Sequence, residues 1–337
     1  VRIALDASGT DNAPSVEVEG ALAALAEFAD VSIVLVGDRP VVEQALEAQG
    51  AAPSDRLTIH HAPDRVLPGD SPAMVVRRKP DCSIVQGLRL HKEGEVDAFI
   101  SAGSTGAVMA SSLFLLRPLP GVDRPTVATL FPTAKGPTIV VDAGTNVDCK
   151  PKHLVQFAHL GRVYARDVLG VEEPRIGLLN IGEEPEKGDE RAVETYALLR
   201  QQGDLNFVGN IEGREIIKGA CDVLVTDGFA GNVLLKFYES VAQFVAGLIK
   251  KELDAAGVEL DYSRVLRSLD YSEYGGAPLL GVNGVSVICH GGSSPKAIKN
   301  AVRFAAEAVR NDLVGDMAEE LAGELAEAPE AKEKSAE

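Results

Sequence analysis

Tryptophan is absent from the 337 residues and other aromatics are few, yet apolar residues make up 45% and charged ones 25%. That is globular usage, so disorder is excluded for most of the chain. Cysteine is scarce as well: Cys82, Cys149, Cys221 and Cys289 lie far apart and form no CxxC pair, so neither a disulfide framework nor a zinc site is suggested and a reducing compartment fits. No uncharged apolar run reaches the roughly eighteen residues of a spanning-helix candidate. Val1 to Asp6 reads as a buried strand without a basic leader, so no secretory signal is expected and the expected location is cytoplasmic. No GxGxxG follows that strand, where Ala7 to Pro14 stand instead, and aspartates do not cluster as metal ligands. Of six histidines only His60 and His61 are adjacent, on a strand where they face opposite sides. Neither an obligatory metal nor a cofactor is therefore expected. The formal net charge of −17 opposes general affinity for nucleic acid or anionic lipid, so an anionic partner would need a local basic patch.

What is present is a rhythm. Short apolar runs end in Gly, Ser, Asn or Asp and lead into helix-period segments, the pattern of βα units around a parallel sheet. Strands are predicted at Arg2 to Asp6, Ser32 to Gly37, Thr58 to His61, Ala98 to Ser101, Thr138 to Asp142, Arg175 to Ile181, Val223 to Thr226 and Val285 to Cys289. Helices are predicted at Ser15 to Phe28, Val41 to Gln49, Ala107 to Leu115, His153 to Val168, Glu190 to Gln202 and Pro295 to Leu313. The expected fold class is α/β, a three-layer, mostly parallel sheet with helices on both faces. One domain is expected over residues 1–315. Asn232 to Ala256 is long and amphipathic, and with the segment to about Gly275 it reads as a helical protrusion that meets a second subunit or a membrane surface, or as a helix packed on its own core. Residues 316–337 are rich in Ala, Glu and Lys and read as a frayed helix or disordered acidic tail.

Ligands of parallel α/β sheets sit beyond the carboxyl ends of the strands. Four Gly-rich turns follow strands here: Ser101, Ala102, Gly103, Ser104, Thr105, Gly106; Asp142, Ala143, Gly144, Thr145, Asn146; Thr226, Asp227, Gly228, Phe229, Ala230, Gly231, Asn232; and His290, Gly291, Gly292, Ser293, Ser294. Small residues admit an anion to the backbone, and a helix N-terminus stabilises it. One such turn is common as a helix cap. Four along one sheet edge would form a concave, donor-rich site suited to phosphate and a developing oxyanion. Asp6 and Asp11, in the turn after the first strand, would order the site or a cation. Lys187 stands among Glu183, Glu184, Glu186 and Glu190 directly before a helix, either aimed at a bound anion or paired with its neighbours in a solvated loop. His290, at a strand end, either protonates a leaving group or caps the next helix. The cysteines read as core packing.

These loops, in this order, resemble the phosphate acyltransferase family of phospholipid synthesis, PlsX. The likeness runs from Arg2 to about Leu313 through IALDASGTDNAP, DAFISAGSTGAVMA, VVDAGTNVDCKP, LLNIGEEPEKG, FVGNIEGREI, DVLVTDGFAGNVLLK, YGGAPLLGVNG and ICHGGSSPKAI. Ser8, Gly9 and Thr10 depart from the family's usual Met-Gly-Gly. The resemblance implies a fold like isocitrate and isopropylmalate dehydrogenases and phosphate acetyltransferases, a homodimer, and peripheral membrane association. It implies transfer of a fatty acyl group from acyl carrier protein to inorganic phosphate, with a membrane glycerol-3-phosphate acyltransferase as candidate recipient of the acyl phosphate.

By the same resemblance Lys187 and Asn232 fall on catalytic positions, and the glycine-rich loops supply the phosphate and acyl-phosphate pocket. Phosphate itself would attack the thioester, with Ser104 to Gly106 holding it, Lys187 offsetting charge and the Asn232 amide donating to the oxyanion. An acidic carrier would dock on Arg77, Arg78 and Lys79, with Lys250, Lys251, Lys296, Lys299 and Arg303 as further candidates. Competing readings are a phosphate acetyltransferase using acyl coenzyme A, an NAD-dependent decarboxylating dehydrogenase, and a noncatalytic scaffold that delivers carrier protein to a membrane enzyme.

Overall fold

The computed structural model describes residues 1–257 and 275–327. Strands β1 (Arg2–Asp6), β2 (Ser32–Gly37), β3 (Leu57–His61), β4 (Ala98–Ser101), β5 (Thr126–Thr133), β6 (Gly136–Val141), β7 (Ile176–Asn180), β8 (Phe207–Glu212), β9 (Val223–Val225), β10 (Ala277–Leu280) and β11 (Val285–Ile288) form one sheet. Its order is β3-β2-β1-β4-β11-β10-β5-β6-β9-β7-β8. Every residue of β4, β9 and β11 is buried, as helices on both faces require. Side chains alternate across the sheet. Ile3, Leu5 and Ile100 pack with α1 (Ser15–Glu27), α6 (Pro151–Leu169) and α10 (Pro295–Arg310). Ala4 and Phe99 face α4 (Ser83–Lys92) and α5 (Thr105–Leu115) on the other side.

The eight predicted strands are present within a residue or two. Sequence periodicity missed β5, β8 and β10, which carry Pro132, Gly209 and Pro278 and lack a long apolar run. The omission matters because β5 and β10 set the polarity of the sheet. Strands β3, β2, β1, β4 and β11 run parallel to one another, as do β6, β9, β7 and β8. Between the two sets lie three antiparallel pairings, β11 with β10, β10 with β5 and β5 with β6, so the sets run in opposite senses.

Register then decides where their ends fall. Ser101 pairs with Ile288 and Ile288 with Ala277, while Leu279 pairs with Val127, which puts Ala277 level with Thr129. Thr129 pairs with Val140, and Val140 with Leu224. Both sets therefore end, from opposite directions, at nearly the same level. The expected row of turns along one sheet edge is corrected to two rows facing each other.

Helix α9 (Gly228–Ala255) is 28 residues long, about 42 Å at 1.5 Å per residue. Residues 258–274 of the expected protrusion lie outside the described residues. No helix among the described residues is long and apolar enough to cross a membrane. The expected frayed tail is packed where it is described: α11 (Leu313–Glu327) buries Met317 and Leu321, and its Asp316 and Glu320 accept from Arg166 and Arg162 of α6 at 2.9 and 3.0 Å.

Candidate functional site

Where the two rows of strand ends meet, a cleft opens with two arms. One arm, about 520 Å³, is mainly apolar and includes Met109, Val127, Leu130, Phe131, Leu235 and Ile288 in its walls. The other, about 610 Å³, is polar and includes Asp6, Ser8, Thr10, Asp11, Arg65 and Ser104. Thr105, Lys236, Cys289 and His290 line both arms, so they mark the junction. Such a cleft can hold an anion beside a long apolar group.

The turn after β4 presents open donors to this junction. Ser104 caps α5, its hydroxyl accepting from Ala107 N–H at 3.4 Å. The N–H groups of Thr105 and Gly106 belong to the first helical turn, which offers no intrahelical acceptor, and both residues line the cleft. Asp6 fixes the turn from beneath. Its carboxylate accepts from the Ser101 hydroxyl at 2.6 Å and from Ser8 N–H at 2.9 Å, and Ser101 Oγ accepts from Gly103 N–H at 3.0 Å. Burial pushes the Asp6 carboxyl above its ordinary range, with the hydroxyl and amide donors opposing. Ser101, Gly103 and Asp6 thus shape the turn, while Thr105 and Gly106 carry its free donors. Asp11 N–H donates to Gly291 O at 2.9 Å, tying the N-terminal turn to the turn after β11.

The turn after β6 differs. Asp142 is fully buried and accepts from the N–H groups of Gly144, Thr145 and Asn146 at 2.9, 2.8 and 2.7 Å, and from Asn146 Nδ2 at 2.9 Å. Three backbone donors expected to face phosphate are therefore occupied by a side chain of the same turn, as aspartate in a tight turn favours. The Thr145 hydroxyl in turn accepts from Val127 N–H at 3.0 Å. What the turn offers is a platform. Gly144 has φ +128°, and a Cβ there would stand 3.3 Å from Cβ and Cγ of Asn232. Asn232 lines the apolar arm directly above it, one helical turn before Lys236.

Asp227 caps α9 by accepting from Ala230 N–H at 2.9 Å, and its other oxygen accepts from Arg191 at 2.7 Å. Gly228 donates to Asn146 O at 2.8 Å, and a Cβ on Gly231 would overlap the Asp142 carbonyl oxygen. These residues seat α9 on the β6 turn, and the Gly228 and Gly231 N–H groups and the Asp227 carboxylate are engaged within the protein. In the last turn Gly292 N–H donates to His290 Nδ1 at 3.0 Å and Ser293 N–H to His290 O at 2.9 Å. An Nδ1 that accepts holds a lone pair, so the neutral ring carries its proton on Nε2. Gly291 lines the polar arm.

Lys187 does not line either arm. It follows β7, whose sheet neighbours are β9 and β8, and its turn closes on itself: Lys187 N–H donates to Glu184 O at 3.1 Å and Asn180 Nδ2 to Lys187 O at 2.9 Å. The expected basic trio also divides. Arg77 and Arg78 are exposed on α3 (Val75–Arg78), whereas Lys79 bonds Asp70 at 2.6 Å and Arg65 O at 3.0 Å, holding a loop that walls the polar arm. That ion pair holds the Asp70 carboxyl below its ordinary value. Lys299 pairs with Glu27 at 2.7 Å, and Arg303 with Glu307 at 3.4 Å within one helix. All four cysteines are buried, and burial pushes Cys149 up to about 11 and Cys221 and Cys289 up to about 12. Cys289 therefore stays a thiol although it borders the cleft. Sequence reasoning missed Arg65, Arg191 and Lys236; only Lys236 had a usable signal, its i+4 spacing from Asn232.

A family model described as "Fatty acid synthesis protein" matches residues 1–315. The chain is 49% identical over 328 residues to a phosphate acyltransferase of Desulforamulus reducens, covering 95% of this chain and 97% of that protein. It is 48% identical over 333 residues to a phosphate acyltransferase of Geobacter sulfurreducens, covering 96% and 95%. Among solved structures, the EutD phosphotransacetylase of Staphylococcus aureus superposes with a TM-score of 0.62 at 17% identity, over 92% of this chain and 94% of that one. A phosphotransacetylase from Streptococcus pyogenes gives 0.60 at 18% identity over the same shares. At such identity these two likenesses speak for the fold.

Proposed function

This chain belongs to the phosphate acyltransferase family of fatty acid synthesis, and from that premise we propose that it moves a fatty acyl group from acyl carrier protein onto inorganic phosphate. The observation that carries the reading is the junction of a polar and an apolar arm at the N-terminus of α5. Phosphate sits at the Thr105 and Gly106 N–H groups, where the helix dipole favours an anion. The acyl chain lies in the apolar arm. A phosphate oxygen attacks the thioester carbon, a C–O bond forms, the C–S bond breaks, and the proton of hydrogen phosphate ends on the carrier thiol, with His290 Nε2–H donating a hydrogen bond to the departing sulfur. The Asn232 amide donates to the carbonyl oxygen as it gains charge. Lys187 keeps, by resemblance to the family, its place as a second catalytic candidate on the neighbouring turn.

The partners follow from the same reading. Arg77 and Arg78 meet the acidic carrier protein. Phe229, Phe237 and Phe244 are 65%, 68% and 66% exposed on α9, an apolar face suited to a second copy in a homodimer or to peripheral membrane contact. The protein works in the cytoplasm and delivers acyl phosphate to a membrane glycerol-3-phosphate acyltransferase. The test is an assay of purified protein with long-chain acyl carrier protein, with and without phosphate, trapping the mixed anhydride with hydroxylamine. Carrier thiol should be released only when phosphate is supplied, and faster than coenzyme A from the matching thioester. Phosphate-independent release, or none, contradicts the proposal.

A further inference from the structure

We infer that Lys236 is the phosphate-directing cation of the cleft and contacts the anion during the reaction; this rests on the proposed acyl transfer and names a residue for it. Three observations converge. Among the described residues, Lys236 is one of four lining both arms and the lysine among them, with an ammonium group of three donors. It stands four residues after Asn232 on one helix, so the two share a face and are about 6 Å apart along the axis. Asn232, Leu235, Lys236 and Glu239 all line the apolar arm, whereas Phe229, Phe237 and Phe244 do not, which sets α9's cleft-facing side against another.

The charges of the described residues around the cleft favour a cation there. The polar arm carries the carboxyls of Asp6, Asp11 and Asp70, and Glu239 lines the apolar arm. Asp6 is satisfied by Ser101 and Ser8, and Asp70 by Lys79. A phosphate anion entering beside Asp11 and Glu239 needs a compensating charge at the junction, where two backbone donors alone face like-charge neighbours. Arg65 lines the polar arm only, and Lys187 lines neither. A lysine on a flexible stem is also suited to follow the charge from phosphate to the thioester oxygen.

The experiment uses the full-length protein with Lys236→Met, which keeps the apolar stem, and Lys236→Arg. Inorganic phosphate binding is read by calorimetry, and acyl phosphate formation by the assay above. Lys236→Met should weaken phosphate affinity and lower kcat/KM for phosphate by about tenfold to a hundredfold, with the larger value expected for a lost transition-state contact. Lys236→Arg should recover most of the binding, and the melting temperature should stay put because the position is exposed. Phosphate affinity of Lys236→Met within about twofold of wild type, below the effect of one lost charged contact, overturns the assignment. The two readouts separate the two claims: an active wild type with unaffected Lys236→Met refutes Lys236 alone. A wild type that makes no acyl phosphate, beside a Lys236→Met that loses phosphate binding, refutes the transfer reaction and leaves Lys236 standing.

Discussion

The turns after β4 and β6 look alike as sequences, Ser-Ala-Gly-Ser-Thr-Gly against Asp-Ala-Gly-Thr-Asn, and behave differently as structures. In the first, the strand-end serine is held from below by Asp6, and the helix N-terminus that follows keeps the Thr105 and Gly106 donors turned to the cleft. In the second, the strand-end aspartate folds its own turn around itself and occupies the N–H groups of Gly144, Thr145 and Asn146. Anion sites therefore depend less on glycine content than on whether a local side chain already accepts from the backbone. The second turn serves the site indirectly, as the floor beneath Asn232.

Four experiments bear on that division. The largest effect is expected for Asn232→Ala, which removes the proposed oxyanion donor while leaving its glycine floor intact; turnover should fall by about a hundredfold to a thousandfold. Wild-type turnover in that variant would detach the β6 turn from the chemistry. Lys187→Ala sharpens the result, because a lysine outside both arms should cost less than Asn232. An equal loss would place its side chain within reach of the substrates. Next, Asp142→Ala strands the three backbone donors, while the Asn146 amide keeps its bond to Pro125 O, so urea denaturation should report a loss of about 2–4 kcal/mol. An unchanged denaturation midpoint would show those donors had other partners. Thr105→Pro tests the open turn: proline at the first helical position keeps the helix but deletes one N–H. Its kcat/KM for phosphate should fall about tenfold, one hydrogen bond to a charged group, while Thr105→Ala changes it little.

The smallest effect concerns the turn after β1. Glu17 accepts from Thr10 N–H and Oγ at 2.7 and 3.0 Å, and burial, its first cause, raises its carboxyl above 4.5. A carboxyl raised on folding binds its proton more tightly folded than unfolded. Its contribution is full below the unfolded pKa and is lost as pH rises through the folded value. Glu17→Gln should therefore lessen the fall in melting temperature across that window by on the order of 1–3 °C. Parallel curves for variant and wild type would remove Glu17 from the account.

Much of this architecture was legible beforehand because strands buried on both faces need continuous apolar runs, as in Ala98–Ser101 and Val285–Ile288. The polarity of the sheet was not, because it depends on Thr126–Thr133 and Ala277–Leu280, one with a proline near its end and one only four residues long. Their antiparallel pairing turns one expected row of turns into two facing rows. In the site, Thr105, Asn232 and His290 announced themselves as post-strand turn residues. Arg65 did not, since it stands in a loop whose place at the cleft comes from the Lys79 to Asp70 ion pair. The occupied donors around Asp142 were foreseeable in principle, because an aspartate opening a tight turn is a known acceptor for the amides that follow.

The most direct test of the whole account is a crystal structure of the protein soaked with inorganic phosphate. The anion should lie within hydrogen-bond distance of the Thr105 and Gly106 N–H groups, with Asn232 across the junction. Phosphate bound instead by the Gly144 to Asn146 amides, with Asp142 displaced, would contradict it.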